Sequence, residues 1–345
     1  MEELVELQEE RTTSTHKAEV VEVNLQPHPN ADSLSIVEIW GFTVCTRTDG
    51  WKEGMKGIYI QPDTLVDVNR PEFEFLRTRP DRDKERIKVK KLRGIISEGF
   101  LLPCPDEDAQ IGDDYWERLG LERYEPPPPR MPGVSMPRAF SETPPTCRTI
   151  KYDLDNFRRY SNMFVEDEPV IVSEKIHGQN GRFVYFDDKM NIGSRTDWKK
   201  HDGTCSWSKV LETYPQIENL CKAIPGYVIY GEVFGEVQQM KYGAQKGEYF
   251  FAAFDIFNGE RFLDFEDAYN LAAKYNVPWV PILEKNLPFS KEKVLTLTDG
   301  RSTIVGANHI REGVVVRPAK ERYDRRLGRV CLKIVSNAYL MKEFE

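Results

Sequence analysis

The chain has 345 residues, of which 40% are apolar and 11% aromatic, and its formal net charge is −8. This length allows two domains, each with its own buried core. No apolar run is long enough to span a membrane, and the acidic first ten residues do not resemble a signal peptide. The six cysteines are scattered without a C-x-x-C pair, which argues against a zinc site and a disulfide framework. We therefore expect a cytosolic, monomeric protein.

The negative charge does not favour nucleic-acid binding, but such binding needs only a local basic face. One candidate is Arg77–Arg93, which holds nine basic and three acidic residues. A second candidate is a group of four arginines near the C-terminus: Arg322, Arg325, Arg326 and Arg329. Either set could instead be a solvated loop with its own counter-charges, and for Arg77–Arg93 the sequence favours neither interpretation.

The first 125 residues are predicted to be rich in short strands. Residues 16–24 and 35–40 alternate between apolar and polar, and 57–62 and 99–103 are apolar runs between turn signals. This pattern is typical of a small barrel such as an OB-fold. The segment Pro27–Leu34 resembles the first loop of tRNA-binding OB modules, although an Asx-type turn would explain it equally well.

A proline-rich segment marks the domain boundary. Four consecutive prolines, Pro126–Pro129, cannot continue a helix or lie inside a sheet. We predict a domain over 1–125, a linker over 126–140 and a second domain over 141–345.

The second domain mixes helical and strand periodicities. Helices are predicted over 153–163, over 206–223 despite Pro215, and over 265–275 with Asp264 as N-cap. Strands are predicted over 168–176, 181–187, 226–234, 248–257, 312–317 and 329–335. Because strands and helices do not alternate regularly, the chain is predicted to be an α+β protein with antiparallel sheets.

The most informative motif is Glu174–Asn180, which follows the β-branched run Val170–Val172. It delivers Lys175 from a strand into a turn, where the side chain could face a phosphate. A lysine amine has a pKa of about 10.4, so a nucleophilic lysine needs a site that lowers this pKa. A lysine at the end of an exposed strand is the ordinary alternative.

Four later segments could complete a nucleotide site around Lys175. Each has an ordinary structural explanation: an exposed strand glutamate, a core aromatic, or a charged strand edge. In chain order the segments contain Glu232 in Y-G-E, Phe254 just before Asp255, Glu312 in E-G-V, and Lys333 in Cys331-Leu332-Lys333.

This ordered series resembles the motifs of covalent lysyl-AMP ligases. His177 and Asn180 make the chain most similar to the phage RNA ligase 2 group, in a subgroup with an OB domain ahead of the nucleotidyltransferase domain. The family usually has a lysine where this chain has Cys331, so one phosphate contact is missing or comes from elsewhere, with Arg329 as a candidate.

The resemblance implies a role for each site residue. Lys175 would be the nucleophile, with ATP as the AMP donor. Glu232 and Glu312 would hold Mg²⁺ or Mn²⁺ through water, and Lys333 would contact the α-phosphate. Phe254 would stack on adenine, and further nucleotide contacts would come from Glu174, Ile176, His177, Asn180 and Arg195. We expect His177 to position the nucleotide or a metal-bound water rather than to act as a base.

The implied activity is ATP-dependent sealing of 3′-OH and 5′-phosphate ends through lysyl-AMP and an adenylated 5′ end. The substrate would be RNA, or a nicked duplex whose 3′-OH strand is RNA. A capping guanylyltransferase and a non-catalytic tRNA- or RNA-binding OB protein are the alternatives. An NAD-dependent ligase is disfavoured because no nicotinamide domain or cysteine cluster is visible.

Overall fold

The fold is taken from a computed structural model that describes residues 17–52, 54–124 and 142–341. The chain divides into two compact units, and residues 17–124 and 142–341 belong to different ones. The predicted linker at 126–140 lies outside the described residues, so the predicted domain limits stay a prediction. Among the described residues, no helix has the length and apolar character needed to cross a bilayer.

The first unit is built from short antiparallel strands around one short 3₁₀ turn, Glu74–Leu76. Its strands are β1 (Ala18–Glu22), β2 (Gln26–Pro27), β3 (Leu34–Ile39), β4 (Phe42–Arg47), β5 (Lys56–Ile60), β6 (Thr64–Asp67), β7 (Lys84–Arg86), β8 (Lys90–Leu92), β9 (Ile95–Ser97), β10 (Phe100–Pro103) and β11 (Glu122–Arg123). The strand orders are β1-β5-β10, β2-β3-β4, β11-β6-β7 and the hairpin β8-β9. The predicted strands at 16–24, 35–40, 57–62 and 99–103 correspond to β1, β3, β5 and β10.

Tyr59 in β5 lies at the centre of the first unit. Its ring is fully buried, and its hydroxyl donates a hydrogen bond to the Glu98 carbonyl at 2.8 Å. The next residue, Gly99, has φ +110°, and a Cβ there would lie 2.7 Å from the Ile60 carbonyl oxygen. Only glycine therefore lets the chain pass this closely over Tyr59 before β10 begins.

The segment Pro27–Leu34 forms a turn that is attached to the β8-β9 hairpin. The Asn30 amide nitrogen donates to the Arg93 carbonyl at 2.9 Å, and the His28 ring is 3.2 Å from the Leu92 carbonyl. The Asn30 backbone N–H donates to the His28 ring at 3.1 Å. These contacts give His28 and Asn30 a structural role in the turn.

The basic segment Arg77–Arg93 is only partly neutralised by its own unit. Three of its cations pair with carboxylates: Arg82 with Glu85 at 3.8 Å, Lys84 with Glu122 at 2.6 Å and Arg86 with Asp63 at 2.5 Å. The side chains of Lys88, Lys90 and Arg93 are exposed. The counter-charge explanation therefore accounts for the first half of the segment, and the second half keeps a basic surface.

The second unit contains two five-stranded sheets. Its strands are β12 (Asp155–Asn156), β13 (Pro169–Lys175), β14 (Gln179–Phe186), β15 (Lys189–Gly193), β16 (Trp198–Lys199), β17 (Val228–Gly235), β18 (Tyr249–Phe257), β19 (Ile282–Pro288), β20 (Gly313–Pro318), β21 (Tyr323–Asp324), β22 (Gly328–Arg329) and β23 (Leu332–Val335). The strand orders are β12-β23-β20-β13-β19 and β16-β15-β14-β17-β18, with a separate β21-β22 hairpin. Only the β12-β23 pair is parallel among the described strands, so the predicted α+β class with antiparallel sheets is confirmed.

The helices of the second unit are short. They are α1 (Phe157–Tyr160), α2 (Ser206–Thr213), α3 (Pro215–Ala223), α4 (Phe265–Lys274), α5 (Lys291–Thr296) and α6 (Asn337–Leu340), with a 3₁₀ turn at Ser161–Met163. The single helix predicted over 206–223 is wrong, because Pro215 starts a new helix and Tyr214 lies between the two. Asp264 precedes α4 without a side-chain cap; its carboxylate instead accepts the Glu321 backbone N–H at 2.8 Å.

A buried ion network joins the two sheets of this unit. Asp255 of β18 is 1% exposed and accepts hydrogen bonds from Arg317 of β20 at 2.6 Å and from Arg329 of β22 at 2.8 Å. The Tyr152 hydroxyl donates to the same carboxylate at 2.5 Å. Burial would raise the pKa of Asp255, but the two guanidinium groups hold it below its ordinary value, and Glu321 balances their remaining charge.

We predict that Asp255→Ala destabilises the protein by about 3–5 kcal/mol, because it leaves two buried guanidinium groups without their shared anion. The measurement is urea-induced unfolding of the full chain. The matched control is Glu266→Ala, which breaks an exposed pair with Lys285 (45% and 44% side-chain exposure) and should cost less than about 1 kcal/mol. Equal losses for the two variants would contradict the network's role.

Candidate active site

Lys175 is the last residue of β13, and the sequence around it explains its position. Val170 and Val172 are fully buried, which fixes the strand inside its sheet, between β20 and β19. β13 pairs with β20 so that Lys175 lies opposite Gly313. The residue before Gly313 is Glu312, and its Oε2 lies 2.7 Å from the Lys175 Nζ.

Glu232 approaches the same amine from the other sheet. It lies in β17 opposite Asn180 of β14. The turn between Lys175 and β14 runs directly over β17, where a Cβ on Gly178 would be 2.3 Å from the Val233 carbonyl oxygen. The glycine in the lysine motif is therefore required by the close approach of two backbones, which brings Lys175 and Glu232 together.

The charges around Lys175 act in opposite directions. Burial lowers the pKa of Lys175, but the carboxylates of Glu312 and Glu232 outweigh it and raise the pKa above its ordinary value. Burial raises the pKa of Glu232 to about 8, with Lys175 lowering it and Glu312 raising it. The lowered pKa that a nucleophilic lysine needs therefore has to come from positive charge brought to the site, and it stays a prediction.

His177 lies beside this cluster as a neutral ring. Burial holds the pKa of His177 below its ordinary value. Its Nδ1 is 3.0 Å from the Tyr339 hydroxyl and 3.8 Å from Glu312 Oε2, and its backbone N–H donates to the Tyr242 hydroxyl at 2.7 Å. This geometry suits a residue that orients its neighbours, and the predicted positioning role stays a prediction.

A pocket opens next to Lys175 between the two sheets of the second unit. It encloses about 720 Å³ of empty space, part of it open solvent, and is lined by residues of β13, β14, β17, β18, β20 and β23. Phe254 forms part of its wall, and its ring lies 4.7 Å from that of Tyr152. The Asn180 Oδ1 is buried and has no hydrogen-bond partner among the described residues. The pocket therefore offers an aromatic surface and one unused acceptor, which suits a nucleoside.

Two other predicted nucleotide contacts, Ile176 and Glu174, differ in their surroundings. Ile176 lines the pocket and is 3% exposed. Glu174 also lines it, but its carboxylate accepts hydrogen bonds from Ser302 at 2.5 Å and from the Thr303 backbone and hydroxyl at 2.8 Å. That carboxylate therefore fixes the loop at Ser302 and Thr303.

Lys333 and Arg195 are brought together by an acidic residue that the sequence did not identify. Asp153 Oδ2 lies 3.2 Å from Arg195 and Oδ1 lies 3.8 Å from Lys333. Asp153, Tyr152 and Lys333 line the pocket. No motif marked Asp153, because it lies in a stretch that was predicted to start a helix and that instead precedes β12.

Cys331 and Arg329 do not supply the missing lysine contact. Cys331 lines the pocket and burial raises the pKa of its thiol to about 11, so it is uncharged at neutral pH. Arg329 is paired with Asp255 and Glu321, each at 2.8 Å. The suggestion that Arg329 replaces the lysine is wrong for this arrangement. Arg322 and Arg326 likewise pair with Glu168 and Asp324, so counter-charges explain these three arginines.

The predicted metal ligands fit a hydrated divalent cation. Glu232 and Glu312 both face Lys175, and the charge of Glu312 raises the pKa of Glu232, a repulsion that a cation would relieve. Over the described ranges, no three His, Cys, Asp or Glu side chains form a direct metal cluster. Mg²⁺ commonly binds one or two carboxylates and keeps several waters, so two carboxylates suffice for the water-mediated binding that was predicted.

Buried ion pairs are weak evidence for stability, and perturbed charges in a pocket mark a candidate functional site. The two-sheet framework around the Lys175 cluster is a nucleotidyltransferase-like fold. Residues 168–335 match the RNA ligase family model, and residues 18–104 match an OB-fold domain model. The chain therefore carries an RNA ligase domain, with an OB-fold domain ahead of it. The predicted family and domain types are confirmed.

Solved structures show the same fold over both units. A variant of Naegleria gruberi RNA ligase with ATP and Mn has 23% identity and a TM-score of 0.80, covering 95% of this chain and 99% of that chain. The same protein with PPi has 24% identity and a TM-score of 0.78, covering 96% and 99%. No curated protein sequence matches the chain significantly.

The raised pKa of Glu232 predicts a pH-dependent stability. Between the ordinary value of 4.5 and about 8, the folded protein binds more protons than the unfolded chain, so stability falls as pH rises through this window. We predict that Glu232→Gln removes this loss and gains stability relative to wild type from pH 5 to pH 8. The free energy of unfolding is measured with urea across this pH range, without divalent metal. The exposed Glu284→Gln is the control. If the stability of Glu232→Gln and of wild type changed with pH in parallel, the raised pKa of Glu232 would be refuted.

Proposed function

We propose that the protein is an ATP-dependent RNA ligase that seals 3′-OH and 5′-phosphate ends through a lysyl-AMP intermediate. The observation that supports this most directly is Lys175, held 2.7 Å from Glu312 at the end of a pocket suited to a nucleoside. The Naegleria gruberi RNA ligase structures with ATP and Mn, with AMP and Mn, and with PPi support ATP as the AMP donor and a divalent metal as cofactor.

Three displacements at phosphorus account for the reaction. The neutral Lys175 amine bonds to the α-phosphorus of ATP, and the bond to pyrophosphate breaks. A 5′-phosphate oxygen of the RNA then attacks this phosphorus, and the phosphorus–nitrogen bond breaks. Finally, the 3′-OH attacks the 5′-phosphate, and AMP leaves with the bonding electrons. Such reactions depend mainly on positioning and on stabilising charge.

Each residue of the pocket has a task in these steps. Phe254 stacks on adenine, and Asn180 Oδ1 accepts a hydrogen bond from the nucleoside. Lys333 and Arg195 supply positive charge to the α-phosphate and to the 5′-phosphate. A divalent cation held through water by Glu232 and Glu312 would neutralise phosphate charge and weaken the hold of these carboxylates on the lysine proton.

Lys175 must lose its proton before it can attack. The carboxylates of Glu312 and Glu232 raise its pKa, whereas burial lowers it. Positive charge that balances these carboxylates would leave burial to favour the neutral amine. A divalent cation held by Glu232 and Glu312 would therefore help Lys175 to lose its proton.

The substrate is proposed to be RNA, or a nicked duplex in which the 3′-OH strand is RNA. The RNA ligase domain supports RNA binding. The OB-fold domain is proposed to add affinity for the 3′-OH side through phosphate and stacking contacts. We also propose that the enzyme acts as a monomer in the cytosol, and its six free cysteines are consistent with a reducing compartment.

Incubation with radiolabelled ATP and Mg²⁺ tests the first step. We expect a labelled protein adduct of 40 kDa that is lost in Lys175→Ala, because this variant lacks the nucleophile. The exposed Lys189→Ala serves as control and should label like wild type. Labelling that survives in Lys175→Ala, or labelling by GTP and not ATP, would contradict the proposal; the second result would favour a capping guanylyltransferase.

A panel of nicked duplexes tests the substrate. RNA or DNA is placed separately on the 3′-OH and 5′-phosphate sides, and sealed product is measured under single turnover. We expect RNA on the 3′-OH side to increase sealing at least about tenfold over DNA there, a difference that one or two 2′-OH contacts can supply. Equal sealing of all combinations would contradict an RNA preference.

A further inference from the structure

Asp153 stands out because it places negative charge where phosphates are proposed to bind. It lines the same pocket as Lys175 and Lys333. Its two carboxylate oxygens face different cations: Oδ2 is 3.2 Å from Arg195, and Oδ1 is 3.8 Å from Lys333. None of the roles described above uses this carboxylate.

The pairing geometry argues against a purely structural role. The side chains of Arg195, Lys333 and Asp153 are 24%, 25% and 34% exposed, and exposed pairs of this kind contribute little to stability. Glu174 shows the contrast, since it is 1% exposed and accepts three hydrogen bonds of 2.5–2.8 Å. Asp153 Oδ1 accepts the Leu154 backbone N–H at 2.9 Å, and its distances to Arg195 and Lys333 are longer, at 3.2 and 3.8 Å.

The backbone holds Asp153 close to Lys333, so its carboxylate competes with any anionic ligand that binds there. Two residues further on, Asp155 and Asn156 form β12, which pairs with Leu332 and Lys333 of β23. Asp153 and Lys333 are thereby kept close whether or not a ligand is present. A phosphate oxygen that approaches Lys333 or Arg195 must meet the carboxylate as a like charge.

We propose that Asp153 is a displaceable counter-ion: it pairs with Arg195 and Lys333, the two cations proposed to bind phosphate, and the nucleotide phosphate replaces it. The proposal rests on the ligase function proposed above, and it names a residue that sets the affinity for phosphate. Before ligand binding, Asp153 prevents repulsion between two nearby cations. During binding, its carboxylate turns to solvent as the phosphate takes over both partners.

The experiment compares ligands with and without a phosphate. Binding of AMP and of adenosine is measured by calorimetry on the full-length protein after pyrophosphate treatment, which removes any bound adenylate. Asp153→Asn keeps the side-chain shape and removes the charge. We expect it to bind AMP about three- to tenfold more tightly than wild type, the effect of one partly exposed charge pair, with adenosine affinity unchanged.

Two further variants make the result specific. Asp153→Glu retains the charge and should keep the wild-type affinity for AMP within about twofold. Asp188 is an exposed turn residue with φ +56°, a backbone conformation that asparagine tolerates. Asp188→Asn removes a charge away from the pocket, so it should change the affinity for neither AMP nor adenosine. If Asp153→Asn does not fold by circular dichroism, Asp153→Ser is measured in its place.

Unchanged or weaker binding of AMP by Asp153→Asn would overturn the proposal, since it would make the carboxylate inert or a positioning group for the cations. Equal gains for AMP and adenosine would also overturn it. Failure of the ligase function itself is recognised separately, because wild type would then neither bind AMP nor form the adduct with radiolabelled ATP.

Discussion

The site depends on one ammonium group held between two carboxylates. Lys175 contacts Glu312 at 2.7 Å, and Glu232 acts on it from the opposite sheet. A charged trio in this setting is costly to bury unless its charges compensate one another. The two sheets must therefore deliver their strand ends to the same point, and this requirement explains the close packing of β13, β14, β17 and β20 there.

The electrostatics of this trio connect substrate binding to reactivity. An ammonium group cannot attack phosphorus, so the proposed reaction requires added positive charge that lowers the pKa of Lys175. The charge of the incoming substrate and its counter-ion changes the balance between burial and carboxylate attraction. Reactivity thus arises from the filled site as a whole.

Much of the fold and site could be predicted from the sequence because the signals are local. The buried strand before Lys175, the glycine at 178 and the aromatic strand around Phe254 each follow from residue type and period. Asp153 could not be predicted, because its function arises from the parallel pairing of β12 with β23, two strands far apart in the chain. The role of Arg329 was also misjudged, since its buried partner Asp255 is visible only in three dimensions.

The break between two helices at Pro215 is a smaller example of what the sequence could not predict. Helical periodicity continues through residues 206–223, and the first and second halves bury residues in the same apolar cluster. Proline at the first position of a helix is acceptable, so the sequence signal is compatible with one kinked helix or with two. The structure has two because Tyr214 leaves helical geometry.

The Asp255 network has a consequence for how the pocket recognises its base. Asp255 belongs to one sheet, whereas Arg317 belongs to the other and Arg329 to the adjoining hairpin. A salt link across both sheets, directly behind Phe254, prevents them from separating or sliding at this point. The width of the pocket beside Phe254 is therefore fixed in advance. A base that stacks on Phe254, as proposed, would have to fit a gap of constant size.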